Sequence, residues 1–145
     1  MNKVLALSKK FCEIPGKEVI SLRKLYHMAI DATLEVIKGK WKVLILCHLG
    51  VHEKLRTGEL LRLMPSISQK VLTAQLRELE DDGIVQRKVY NEVPPRVEYS
   101  LTDRGLSLRN ILLQMSDWGA NLVDDKKQAG EDVDIVNRND DGFRN

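Results

Sequence analysis

The chain has 145 residues, of which 43% are hydrophobic and 30% are charged, and its formal net charge is +2. This length and apolar content predict one domain with a hydrophobic core, and the near balance of charges argues against a general polycation. No apolar run approaches the roughly 18 residues that span a bilayer, so the sequence predicts no contact with a membrane. The two cysteines, Cys12 and Cys47, do not make a disulfide framework, and we expect a reduced, cytoplasmic protein.

Charge is distributed unevenly along the chain. Residues 1–31 carry six Lys and Arg against three acids, residues 32–110 carry thirteen against ten, and residues 111–145 carry four against eight. A basic body with an acidic tail is compatible with binding to nucleic acid. The N-terminal apolar stretch is too short for a signal peptide. We expect an N-terminal extension over 1–20, a folded domain over 21–123 and an acidic, disordered tail over 124–145.

Two helices are predicted in the first half of the folded domain. Apolar residues recur at three- and four-residue steps from Thr33 until Gly50, which predicts one amphipathic helix. Its stripe consists of Leu34, Ile37, Trp41, Leu44, Ile45 and Leu49. A short second helix is predicted with Thr57 as its N-cap and Pro65 at its end.

A third helix and two strands follow in the order of a recognition helix and a wing. The helix is capped by serine and ends at Gly83, and Lys70, Thr73 and Arg77 lie opposite its apolar arc. Beyond it, apolar and polar residues alternate, which predicts two strands with one buried face. The apolar set consists of Val85, Val89, Val97, Tyr99 and Leu101. A Pro-rich loop joins the strands, so we predict a mainly α fold with a small β-hairpin, a winged helix-turn-helix domain.

The final predicted helix has two apolar faces. Thr102 and Asp103 cap it, and Leu106 and Leu113 point almost opposite to its main stripe. That stripe consists of Leu108, Ile111, Leu112, Met115, Trp118 and Leu122. A helix that is apolar on two faces needs a second partner, and in a small protein this partner is most simply another copy of the chain. We therefore predict a dimer interface that these residues form together with the N-terminal helices.

Three segments carry a family resemblance: residues 33–42 (TLEVIKGKWK), 67–83 (ISQKVLTAQLRELEDDG) and 93–102 (VPPRVEYSLT). In this order they resemble the opening helix, the recognition helix and the wing of the HxlR family of bacterial winged-helix regulators. The resemblance extends over roughly residues 26–122. It implies a homodimeric transcription regulator that binds double-stranded DNA at a two-fold related operator, and no cofactor is predicted.

The resemblance leaves the signal open. Many members of the family have a cysteine shortly before the first segment, and some use it to sense electrophiles or oxidants. This chain has Met28 at that place, so the resemblance does not carry thiol sensing over by that route. A redox role for Cys12 or Cys47 stays open. A small apolar effector could enter between the first and last helices of the dimer, and no residue identifies it.

Eight side chains are predicted to contact DNA: Ser66, Ser68, Gln69, Lys70, Thr73, Arg77, Lys88 and Arg96. A recognition helix lies in the major groove, where Lys70 and Arg77 can donate to guanine and Gln69 can pair with adenine. Thr73 can contact a thymine methyl group or a phosphate.

The remaining predicted contacts are with the DNA backbone. The two serines lie at the N-terminus of the helix, where free N–H groups favour phosphate. Lys88 and Arg96 flank the wing tip and would reach the backbone or the minor groove. Lys38, Lys40 and Lys42 could add phosphate contacts, although a solvated helix face explains them equally well.

Two alternatives remain at this point. The face of the third helix could dock a protein instead of DNA, although such faces normally contain an apolar or aromatic anchor. Cys47, His48 and His52 could form a metal-responsive site, because the two histidines have a spacing that can bind a metal on one helix face. The sequence has no Gly-rich phosphate loop, nucleophile elbow or pair of carboxylates in a plausible cleft, and we predict no enzyme activity.

Overall fold

The computed structural model describes residues 23–136. The predicted extension over 1–20, with Cys12, and residues 137–145 of the predicted tail lie outside the described residues. The chain divides into two units, residues 1–35 and residues 36–145. In chain order the elements are α1 (Ala29–Ile37), α2 (Lys40–His52), β1 (Lys54–Leu55), α3 (Thr57–Leu63), α4 (Gln69–Asp81), β2 (Val85–Tyr90), β3 (Arg96–Leu101), α5 (Asp103–Ser107) and α6 (Arg109–Gln128).

In the first unit, hydrogen bonds within the segment organise the start of α1. The N–H of Met28 donates to the Asp31 carboxylate at 2.8 Å, which caps the first turn. The Tyr26 hydroxyl donates to Glu35 at 2.8 Å, and the Lys24 ammonium pairs with the same carboxylate.

The second unit contains the predicted fold: helices α2, α3 and α4 with a small antiparallel sheet. The hairpin of β2 and β3 pairs Val85 with Leu101 at one end and Tyr90 with Arg96 at the other. A third strand, β1, pairs with β3 and gives the order β1-β3-β2. The fold class is thus confirmed, and β1 is the element that the sequence analysis missed. A strand of two residues is too short to show an alternating pattern.

The core of this unit lies between the three helices and one face of the sheet. Its fully buried side chains are Ile45, Leu46, Leu49, Leu60, Leu72, Leu76, Leu79 and Val85. On the strands, Tyr99 and Leu101 are also buried, whereas Val89 is 47% exposed. The prediction that Val89 is buried is therefore wrong, because the outer part of the hairpin extends past the core.

The first predicted helix is two helices. Gly39 separates α1 from α2 with φ +91°, a left-handed conformation that glycine adopts without steric cost. The apolar period continues across the break, which is why the sequence indicated one helix. Gly50 does not end α2 either, since the helix continues to His52 and Glu53 follows with φ 58°.

Helix α3 begins one residue earlier than its predicted cap implies. Thr57 is its first helical residue, and Arg56 is the N-cap. The Glu59 carboxylate accepts a hydrogen bond of 2.7 Å from the N–H of Arg56, which satisfies that end of the helix. The prediction of Thr57 as the cap is therefore wrong.

The final predicted helix is also divided, into α5 and α6. Thr102 caps α5 as predicted, because its Oγ1 accepts a hydrogen bond of 3.1 Å from the N–H of Gly105. Helix α6 extends to Gln128, so the predicted start of the tail at 124 is too early. Two lysines, Lys126 and Lys127, lie in the last turn, where positive charge favours the helix C-terminus.

Gly105 lies where α5 meets the backbone that leaves α4. A Cβ atom at this position would lie 2.3 Å from the carbonyl oxygen of Ile84. This is too close for two nonbonded atoms, so a side chain here would clash with the backbone. The Thr102 hydroxyl donates to the carbonyl of Gly83 at 2.6 Å in the same place. The end of α4, the start of β2 and the start of α5 therefore form one tight junction.

Candidate nucleic-acid interface

Helix α4 presents the polar face that the sequence predicted. Its three leucines at positions 72, 76 and 79 are buried in the core, while Gln69, Lys70 and Arg77 are exposed. Thr73 is half-buried, and its hydroxyl donates to the carbonyl of Gln69 at 2.9 Å. The structure thus places Gln69, Lys70 and Arg77 on the exposed surface of one helix, with donors suited to base edges.

Ser68 fixes the start of this helix. Its Oγ accepts a hydrogen bond of 3.2 Å from the N–H of Val71, so it is the N-cap. Ser66 lies just before it and is exposed. The cap uses an oxygen lone pair of Ser68 and leaves the hydroxyl proton available to donate elsewhere.

We predict that Ser68→Ala lowers the free energy of unfolding by about 1 kcal/mol, the usual cost of losing an N-cap. Urea denaturation followed by circular dichroism measures this. Ser66→Ala is the matched control, because Ser66 does not act as the N-cap. Equal stability of Ser68→Ala and the wild type would contradict the capping role.

A buried ion pair joins α4 to α2. The side chain of Lys42 is 3% exposed, and its Nζ lies 2.8 Å from Oε2 of Glu78, whose side chain is 52% exposed. A phosphate contact by Lys42, which the sequence allowed, is excluded because the ammonium is buried against the carboxylate. No local pattern could have shown this, since Glu78 lies on another helix.

The ion pair changes the acidity of Glu78. The hydrogen bond from Lys42, then its charge, and in smaller part the charge of Lys38, hold the pKa of the Glu78 carboxyl below its usual value. A carboxyl with a lowered pKa in the folded state contributes stability above its unfolded pKa, and that stability is lost as pH falls through the folded pKa.

We therefore predict that part of the free energy of unfolding disappears as pH falls below about 4, the usual range of a glutamate. Glu78→Gln should show a smaller loss over the same window. Chemical denaturation between pH 7 and pH 3 compares the two proteins, and Glu80→Gln, a second exposed glutamate of α4, is the control. A pH dependence identical in the wild type and Glu78→Gln would contradict the prediction.

The other lysines near the start of α2 are accessible. Lys38 and Lys40 are exposed, and Nζ of Lys40 lies 4.6 Å from the centre of the Trp41 ring. Trp41 itself is partly buried against the core. These two lysines therefore remain available for phosphate, whereas Lys42 does not.

In the wing, Arg96 is engaged by its neighbours. Its guanidinium lies 4.0 Å from the centre of the Tyr90 ring, Nη2 lies 3.4 Å from Glu92, and Nε lies 3.6 Å from Glu98. Lys88 is exposed, with its Nζ 4.9 Å from the same ring. The structure thus keeps Lys88 at the surface and ties Arg96 into the hairpin.

Two further arginines lie near the wing and were not predicted. Arg87 is exposed on β2, although its position has the inward parity of Val85. A charged residue at an inward position could have signalled that the hairpin extends past the core. Arg56 lines a groove with the wing-tip residues 92–97. It directly follows β1, which is too short to show a sequence pattern, so no sequence signal pointed to Arg56.

Helix α6 leaves an apolar stripe exposed. Trp118 is 68% exposed, Met115 48%, Ile111 43% and Leu122 41%. Leu112 differs from them, because it is 3% exposed and lies in the core of its own unit. Leu112 is therefore a core residue and not, as predicted, an interface residue. Leu108 also packs partly against that core.

The predicted metal alternative lacks a site. Among residues 23–136, no group of three His, Cys, Asp or Glu side chains is arranged to hold a metal ion. Partial burial lowers the pKa of His48, and the nearby His52 lowers it further. Cys47 is of intermediate exposure. In the same range, no helix is long and apolar enough to cross a bilayer.

Comparison with known proteins identifies the family to which the chain belongs. The profile of the HxlR-like helix-turn-helix family matches residues 36–127. The chain is similar to the HTH-type transcriptional regulator YtcD of Bacillus subtilis (strain 168), with 59% identity over 101 residues that cover 70% of this chain and 79% of YtcD.

Solved structures show the same likeness. The crystal structure of ytcD has a TM-score of 0.64 at 59% identity and covers 67% of this chain and 98% of its own. The redox regulator HypR in its reduced form has a TM-score of 0.63 at 47% identity and covers 73% of this chain and 100% of its own.

Proposed function

Because the chain belongs to the HxlR-like helix-turn-helix family and is a transcriptional regulator of that type, we propose that it binds operator DNA as a homodimer. Helix α4 enters the major groove, and the β2–β3 hairpin lies along the backbone or in the minor groove. The exposed polar face of α4, built opposite three buried leucines, is the observation that carries this proposal.

We assign the recognition of DNA bases to the side chains that α4 exposes. Arg77 can form a bidentate pair with guanine O6 and N7, Lys70 can donate to the same edge, and Gln69 can pair with adenine. Thr73 can offer its methyl group to thymine, because its hydroxyl is used within the helix. This face has no aromatic anchor, which favours DNA over a protein partner.

Backbone contacts are assigned to the ends of this surface. Ser66 and Ser68 lie at the N-terminus of α4, where N–H groups and the helix dipole attract phosphate. Lys88 reaches outward from the hairpin, and we add Arg87 because it is equally exposed. Arg96 supports the hairpin through Tyr90 and its two glutamates, so its contribution to binding is mainly the shape of the wing.

The dimer is assigned to the exposed stripe of α6. Ile111, Met115, Trp118 and Leu122 follow one another at helical spacing on a surface that leaves each of them more than two-fifths exposed. A contiguous apolar surface of this kind marks an interaction site, and the same stripe on a second copy is its simplest complement. Two-fold symmetry then presents two α4 helices to one operator.

The first test is binding of the purified chain to DNA from upstream of its own gene, compared with a shuffled duplex over a series of salt concentrations. We expect preference for the native fragment, two chains per site and an affinity that falls steeply with salt. Weak and equal binding to both duplexes at every salt concentration would contradict sequence-specific reading. Absence of binding at low salt would favour a protein partner for α4.

A further inference from the structure

Lys42 is unusual among the charged residues of the fold. Among residues 23–136, Lys42 is the one charged residue that is buried, and it lies in the first turn of α2. Its ammonium lies 2.8 Å from the carboxylate of Glu78 on α4. A buried charge thus connects α2 with α4, the helix that carries the polar face.

Stability alone does not account for this pair. Taking an ammonium out of water is costly, and an apolar side chain of similar volume at such a site is often as stable or more stable. An ion pair differs from an apolar contact because it prefers one distance and one direction, whereas apolar packing tolerates sliding. The pair therefore supplies a defined position for α4 relative to α2.

The position of Glu78 makes this constraint relevant to DNA. Glu78 follows Arg77 directly, so a displacement of Glu78 also moves the side chain that we assign to guanine. An unpaired carboxylate at this place would also repel DNA phosphates, and the Lys42 ammonium compensates its charge. Lys38 adds to the positive field around Glu78.

We propose that Lys42 is a positioning residue for DNA recognition, which acts through Glu78 to fix α4 and thereby Arg77. Lys42 itself touches no DNA, because its side chain is buried. This inference rests on the function proposed above. In this arrangement Arg77 contacts the base, whereas Lys42 determines where that contact is made.

The DNA test uses the full chain, a duplex selected by the wild type from a random library, and a shuffled duplex. Lys42→Met is expected to reduce the ratio of the two affinities about tenfold, comparable to losing one base contact, while remaining folded by circular dichroism. Lys42→Glu combined with Glu78→Lys exchanges the charges and should recover part of the ratio. Lys126→Met removes one exposed positive charge of α6 and is the control, with an expected ratio equal to that of the wild type.

A second measurement tests the pair without DNA. In ¹⁵N NMR, a buried and paired ammonium exchanges its protons slowly, so the wild type should show a Lys42 side-chain signal that Lys42→Met and Glu78→Gln lack. Absence of that signal in the wild type would overturn the proposal. So would a folded Lys42→Met protein with the wild-type affinity ratio.

The two measurements also distinguish this proposal from the function on which it rests. Failure of the wild type to select any duplex would overturn both, with the NMR signal still showing whether the ion pair exists. Selection by the wild type together with an unchanged ratio in Lys42→Met would overturn the positioning role alone.

Discussion

Trp118→Glu is expected to convert the proposed homodimer into monomers. Trp118 is 68% exposed at the centre of the α6 stripe, and tryptophans at such positions commonly contribute about 2–4 kcal/mol to an interface. In the proposed homodimer the substitution would also bury a carboxylate of each copy in an apolar interface, where a charge is costly. Sedimentation velocity over a range of protein concentrations should show the dissociation constant rising by a factor of about 30 or more.

The consequence for DNA follows from the geometry of two half-sites. A monomer binds one half-site and loses the gain from tethering the second, so affinity for the selected duplex should fall together with dimerisation. Leu63→Glu changes an exposed leucine of α3 and is the control for a general effect of a new charge. Trp118→Glu protein that sediments as a dimer would exclude α6 as the interface.

Arg77→Ala is expected to weaken specific binding by about 1–3 kcal/mol, the range for one bidentate contact with guanine. The effect should appear in the affinity for the selected duplex and be smaller for a shuffled duplex, where only the positive charge is lost. Fluorescence anisotropy at matched salt concentrations measures both affinities. Arg77→Lys should recover the salt dependence and only part of the specificity, because an ammonium cannot form the bidentate pair.

The control for this substitution is Arg104→Ala. Arg104 is exposed on α5, outside the surface assigned to DNA, and its loss removes the same formal charge. Arg77→Ala with the same affinity as the wild type for the selected duplex would refute its assignment to a base contact. An equal loss on both duplexes would reassign it to phosphate.

Local periodicity predicted most of the fold because each main element contains enough residues to show its period. The apolar arc of α4, its serine cap and the alternation in the hairpin are all encoded within short windows. Gly39 shows where this reasoning stops. A left-handed residue turns the chain and can leave the apolar spacing on either side intact, so the pattern indicated one helix where there are two.

The candidate site was less predictable, because its side chains are set by distant partners. The sequence groups Lys42 with Lys38 and Lys40 at the surface, and only the packing of α4 on α2 buries it beside Glu78. Leu112 shares a sequence pattern with Trp118, yet one lies in the core and the other at the surface. A periodic stripe identifies apolar residues and does not say which partner buries each of them.

Arg96 illustrates the same limit for charge. Its place beside the wing tip suggested a free cation, whereas Tyr90, Glu92 and Glu98 surround it in the folded hairpin. Contacts across a hairpin depend on register, which the sequence predicts only as a range of pairings.

In the proposed homodimer, the junction at Gly105 has a consequence for the spacing of operator half-sites. With the Gly105 backbone closely packed against Ile84 and Thr102 bonded to Gly83, the segment that leads into α6 cannot pivot freely relative to the end of α4. In a dimer built on α6, the separation of the two α4 helices is then set by the protein. One base pair inserted between half-sites rotates one of them by about 35° about the DNA axis, and this regulator should reject such a duplex.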